Sequence, residues 1–132
     1  MIAKEADIKA ALASGGAKLF DHRPLTQYLG KKKSKVVKKY GTIPGAVSKP
    51  ASQLTKARGG IFKTAKELKM SFQSGSGANK GDIINFDNTG HWASLGWFVS
   101  HEILGNENAR MYDGSMAEWS LNPDNPVVRQ TP

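Results

Sequence analysis

Gly81-Asp82-Ile83-Ile84-Asn85-Phe86 runs directly into Asp87-Asn88-Thr89-Gly90-His91-Trp92, and Ala93 to Leu104 follows. The first six residues have the apolar, β-branched character of a buried strand, the next six are a polar turn, and the last twelve carry a helical period. Trp92, Leu95, Gly96, Val99 and Ile103 fall on one face of that helix, and Gly105 stands where a C-terminal cap belongs. A strand that hands over to a buried helix through a short turn is the unit of an open α/β sheet. Ligands of such sheets bind at the carboxyl ends of the strands, where helix N-termini offer unpaired N–H groups to an anion. Asp87 occupies the strand end, in the place of a nucleophile, and Gly90 lets the backbone turn sharply. Two readings of Asp87 stand side by side: the centre of an anion-binding cradle, or a carboxylate that, like Asn88, caps the helix.

The same alternation extends in both directions. Ala3 to Ala13 reads as an amphipathic helix ended by Gly15-Gly16, and Ala17 to Asp21 as a short buried strand. Pro24 opens a short helix through Tyr28, stopped by Gly30. Gly41 to Val47 is turn chemistry leading into a strand, and 49–62 is irregular. Thr64 to Phe72 is helical, with Thr64 and Glu67 spaced as a capping box. Ser74 to Gly77 reads as a flexible surface loop, and Ala109 to Tyr112 as a further strand. The whole predicts one α/β domain over 1–132 with a parallel sheet.

Composition narrows the function. The 132 residues contain no cysteine, which excludes disulfides, thiolate metal sites, iron–sulfur clusters and a cysteine nucleophile. No cofactor and no metal site is expected. There is no apolar run long enough for a membrane span and no apolar leader segment at the N-terminus, so a soluble cytoplasmic or periplasmic protein is expected. The net charge is +8, but residues 1–80 carry +13 and residues 81–132 carry −5. Six lysines lie within 31–39, and without them the net charge would be +2. Neither arginine nor an aromatic residue interleaves with them, so a nucleic-acid role is not expected; a solvated loop that attracts anions is.

Asn88-Thr89-Gly90-His91-Trp92-Ala93-Ser94-Leu95-Gly96-Trp97-Phe98 resembles the active-site loop and following helix of rhodanese sulfurtransferases, closest to the tandem-domain subgroup whose loop reads Cys-Asn-Thr-Gly-His. Three more motifs follow the family's order. Phe20-Asp21-His22-Arg23-Pro24 with Gln27-Tyr28 is similar to its Asp-x-Arg strand end. Gly41-Thr42-Ile43-Pro44-Gly45-Ala46 is similar to its Gly-His-Ile-Pro-Gly-Ala turn, with Thr42 at the usual histidine. Tyr112-Asp113-Gly114-Ser115-Met116-Ala117-Glu118-Trp119 is similar to its Tyr-Asp-Gly-Ser-x-x-Glu-Trp segment. The lysine segment lies where the subgroup often carries a basic insertion.

The resemblance implies a three-layer α/β domain with about five mostly parallel strands flanked by helices. It also implies sulfane sulfur transfer from thiosulfate or 3-mercaptopyruvate, through a cysteine persulfide, to cyanide or a thiol. The cysteine position is Asp87, which cannot form a persulfide but can occupy the same cradle, so this chain is expected to be inactive. Asn88, Thr89, Gly90, His91 and Trp92 form the expected anion-binding loop, and Trp92 stands where many relatives carry a basic residue. Arg23 either helps form the pocket or pairs with Asp21. Ser115 either rims the pocket or serves as a turn hydroxyl. His91 lines the mouth or is simply exposed. Trp97 and Trp119 are read as packing residues, and Glu118 as pairing with a loop or helix group.

The expected partners are a second rhodanese domain, a sulfur-relay protein, or a small anion in the loop. Three origins fit: the noncatalytic domain of a tandem enzyme, a free-standing inactive homologue that acts as a scaffold, or an engineered cysteine-less variant. A remote alternative is an aspartate-based phosphohydrolase, from the faint echo of Asp-Lys-Thr-Gly in 87–90, with Asp113 as a second carboxylate.

Overall fold

Five parallel strands form the centre of the chain, in the order β1-β5-β4-β2-β3, as seen in a computed structural model that describes residues 1–56, 60–72 and 78–129. In chain order the elements are β1 (Ile2–Ala3), α1 (Glu5–Ser14), β2 (Lys18–Asp21), α2 (Leu25–Tyr28), β3 (Val47–Ser48), α3 (Ala65–Ser71), β4 (Ile83–Phe86), α4 (His91–Trp97), β5 (Ala109–Tyr112) and α5 (Ser115–Trp119). A 3-10 turn spans Ala51–Gln53, inside the segment read as irregular.

The central strand β4 is buried along its whole length and its side chains alternate between two apolar layers. Ile84 and Phe86 join Ile8, Leu19, Tyr112, Met116 and Trp119 on the side of α1 and α5. Ile83 joins Phe20, Leu68, Phe72 and Val99 on the side of α3 and α4. This is the α/β sandwich read from the sequence. All four strand pairings are parallel, with β4 in register against β2 (Phe20 opposite Asn85) and β5 (Ile84 opposite Arg110).

Helix boundaries follow local chemistry. Thr64 and Glu67 form the expected capping box at the start of α3, and Gly15 ends α1 in the left-handed region. Two expectations need correction. The helix read over 93–104 begins earlier, at His91, and widens into a π-helical turn over Phe98–Ile103. That wider turn keeps adjacent Val99 and Ser100 both inside, the first in the apolar layer and the second on the side chain of Asn79. Ala3, read as the first residue of the opening helix, belongs instead to the Ile2–Ala3 strand paired with β5, and Ser115–Trp119, for which no element was expected, is helical. Both are too short to show a period. The flexible loop read at 74–77 lies outside the described residues.

The lysine segment is irregular, as expected, but is not merely solvated. Val37 is fully buried in the core. Lys39 Nζ donates to the carbonyls of Asn122, Pro123 and Asn125 at 3.1, 3.1 and 2.8 Å. No helix among the described residues is long and apolar enough to cross a membrane.

Candidate functional site

Asp87 ends β4, and its carboxylate turns back into the 87–92 loop. Oδ1 accepts the backbone N–H of Gly90, and Oδ2 accepts that of Trp92 at 2.7 Å. The side chain is 1% exposed. The carboxylate thus accepts two N–H groups at the head of α4, from its N-cap residue Gly90 and from Trp92, as the capping reading expected.

Ser115 completes the enclosure from β5 and α5. Its Oγ accepts the Asp87 N–H at 3.0 Å and lies 3.0 Å from Asp87 Oδ1 and 2.8 Å from Tyr112 O, either of which can take its single proton. The Ser115 backbone is at φ 53°, in the left-handed region that non-glycine residues seldom adopt. The first amides of α5 grip the loop as well: Met116 and Ala117 N–H donate to Asp87 O and Asn88 O, each at 2.9 Å. Asn88 Nδ2 donates to Gln27 Oε1 at 2.8 Å, tying the loop to α2. Gly90, at φ 97°, carries Asp113 so close that a Cβ there would sit 2.7 Å from Asp113 Oδ1.

The remaining expected residues divide. Thr89 and His91 are exposed, and Trp92 is half-buried. Trp92 reaches a cavity of about 590 Å³ beside the loop, which it shares with Leu95, Pro24, Pro50, Thr55 and Lys56. Arg23 follows its structural reading: it is wholly buried, with Nε and Nη2 on Asp21 at 3.0 and 2.7 Å, and Nη2 also donates to Gly41 O. Thr42 Oγ1 donates to the same Asp21 carboxylate at 2.7 Å. This group pins the end of β2 to the 41–42 turn. Arg23 Nη1 and Asn88 Oδ1 are buried without a partner among the described residues. Trp97 and Trp119 pack as expected, each donating its indole N–H to a backbone carbonyl. Glu118, expected to pair with a loop or helix group, instead accepts the phenol of Tyr112 on β5 at 2.7 Å.

Sequence reasoning missed His22 and Gln27 as residues of this region, although both lie inside the motif around Arg23. His22 is fully buried, with Nδ1 2.7 Å from Lys49 O and Nε2 2.6 Å from Asn85 Oδ1. Burial pushes its pKa below the usual histidine value, against the opposing pull of Asn85, Lys49, Asp21 and Asp87. Among the described residues no group of three or more His, Asp or Glu side chains could hold a metal ion.

Comparison with known proteins adds to this geometry. The putative thiosulfate sulfurtransferase of Saccharopolyspora erythraea is 32% identical over 114 residues, 81% of this chain and 40% of that protein. The thiosulfate sulfurtransferase of Corynebacterium glutamicum is 33% identical over 112 residues, 80% of this chain and 36% of that protein. A putative thiosulfate sulfurtransferase of Mycobacterium tuberculosis is 35% identical over 79 residues, 60% of this chain and 28% of that protein. The chain therefore spans well under half the length of these relatives. Among solved structures, wild-type EanB superposes with a TM-score of 0.87 at 23% identity, covering 99% of this chain and 32% of that one. The anaerobic ergothioneine biosynthesis enzyme from Chlorobium limicola, in complex with trimethyl histidine, gives 0.88 at 22% identity, with the same coverage. These likenesses share the fold. The profile of the rhodanese-like domain matches residues 5–122, and with it the chain belongs to the rhodanese-like family.

Proposed function

We propose that this chain is a rhodanese-like domain of sulfurtransferase type in which Asp87 replaces the sulfur-carrying cysteine, leaving it unable to transfer sulfane sulfur by itself. The observation that carries this reading is the engagement of both Asp87 carboxylate oxygens by loop N–H groups. In the family reaction those N–H groups stabilise a thiolate and then a persulfide on the cysteine. Here a carboxylate already holds them. It has no sulfur to accept the sulfane atom, and its charge repels a second anion at close range. The chain contains no other cysteine to substitute.

A thiosulfate:cyanide assay on this chain beside Asp87→Cys tests the reading. Thiocyanate formation is expected to be undetectable for the chain and appreciable for the variant. Clear activity in the unchanged chain would sink the proposal. Silence in both would mean that the loop has lost more than its nucleophile, with Trp92, where relatives carry a basic residue, as the first suspect.

Such a domain acts through partners: a second, catalytic rhodanese-like domain or a sulfur-relay protein with an acidic face. Lys31, Lys32, Lys35 and Lys38 are exposed and lie within nine residues of one another, which supports an acidic partner surface. Capture of a sulfur-relay partner is expected to weaken steeply with salt and to vanish when these four lysines are neutralised; salt-independent capture counts against it.

A further inference from the structure

Phe72, Ile103 and Leu104 form the apolar wall of a second cavity, of about 450 Å³, with Lys66, Lys69 and Lys80 among its lining residues. The cavity lies at the opposite pole of the sheet from Asp87. Ala78 to Lys80 precede β4, and Ile103 and Leu104 precede β5, so they stand at the amino ends of strands whose carboxyl ends carry the 87–92 loop.

Its walls are held by defined contacts. Asn79 N–H donates to Phe72 O, at the end of α3. The Asn79 side chain is fixed in turn: its Oδ1 accepts Ser100 Oγ and Asn106 Nδ2, and its Nδ2 donates to Ser100 O. Lys18 Nζ donates to Ala78 O at 2.8 Å. Among the described residues, none that lines the cavity is acidic, and Lys66, Lys69 and Lys80 form no ion pair.

We propose that this cavity binds a single-chain amphipathic anion, an alkyl body ending in a carboxylate or a similar anionic head. The volume falls in the range of about 300–1,000 Å³ usual for small-molecule sites. The alkyl body takes the half-buried Ile103 and Leu104 out of water, against a floor formed by the buried Phe72, and this is the main source of affinity. The head meets the three ammonium groups, all on exposed residues. They keep part of their hydration there, so the charge pairing avoids the desolvation cost of a buried ion pair. A cation of the same shape would meet like charges. The concave shape suits one chain taken up as a monomer rather than a flat bilayer surface.

Titration of the 15N-labelled full chain with dodecanoate below its micelle concentration, followed by amide NMR, tests this. Saturable shifts are expected at Phe72, Asn79, Lys80 and Leu104. Affinity is expected to fall at least about tenfold in Lys66→Glu/Lys69→Glu and in Ala65→Trp, which fills the cavity from the exposed first turn of α3. Lys9→Gln, exposed on α1 and not lining the cavity, is expected to bind as the unchanged chain does. Four results would overturn the proposal: no saturable shifts with dodecanoate, equal affinity for dodecyltrimethylammonium, shifts centred on Trp92 and Thr55, or full affinity retained in both cavity variants. Binding to phosphatidylglycerol vesicles without binding of the monomer would likewise replace it with a membrane-surface role.

Discussion

At Asp87 a single side chain settles the state of the loop: a negative group sits where backbone donors and a helix N-terminus favour one. Ser115 supports it at the cost of its own backbone conformation. Both Ser115→Ala and Ser115→Gly remove the hydroxyl that accepts the Asp87 N–H, but glycine relieves the positive φ. Ser115→Gly is therefore expected to be the more stable of the two variants, by about 1 kcal/mol in urea unfolding. Arg23 shows the other residue-scale effect. With both members of the pair fully buried, Arg23→Met leaves Asp21 as an uncompensated buried charge. A loss of about 3–5 kcal/mol is expected, and a smaller loss when Asp21→Leu accompanies it. Equal losses in the single and double variants would show that the pair has no such coupling.

At the scale of elements, α4 is positioned by one close approach. A Cβ at Gly96 would lie 2.1 Å from His22 Nε2, so Gly96→Ala must push α4 away from the sheet or turn the imidazole out of its place between Lys49 and Asn85. A destabilisation of about 1–3 kcal/mol is expected. The same imidazole links this packing to pH. Its pKa is depressed in the folded state, so below the unfolded value of 6.5 the unfolded chain takes up the proton first. The His22 contribution is therefore complete above that value and is lost progressively as pH falls from it toward the lower folded pKa. Urea midpoints measured between pH 7.5 and 5 are expected to fall with acidification, and less steeply in His22→Gln. An unchanged slope in that variant would assign the effect to other groups.

For the whole molecule, the charge asymmetry of the sequence resolves into two kinds of lysine. Lys39 holds three carbonyls of the C-terminal segment, whereas Lys31, Lys32 and Lys35 are exposed. Lys39→Gln is expected to cost about 1–2 kcal/mol of stability. Neutralising Lys31, Lys32 and Lys35 together is expected to change it by less than about 0.5 kcal/mol per site. Denaturation curves of the two variants measure the contrast directly.

The α/β class, the parallel sheet, the principal strands and the capping of α3 were all legible in the sequence, because period, glycine punctuation and capping pairs are local properties of the chain. So was the pairing of Asp87 with a helix head, since strand end, turn and helix are contiguous. Tertiary structure alone placed Ser115 against residue 87, 28 positions earlier, and brought Met116 and Ala117 N–H onto the loop carbonyls. It alone made Ile2–Ala3 a strand, since two residues carry no period and acquire their conformation from β5. It also buried Arg23 beside Asp21, away from solvent. Local sequence sets which backbone shapes are accessible. Which distant side chains meet, and which charges lose their water, is decided by the packing of both layers against the sheet.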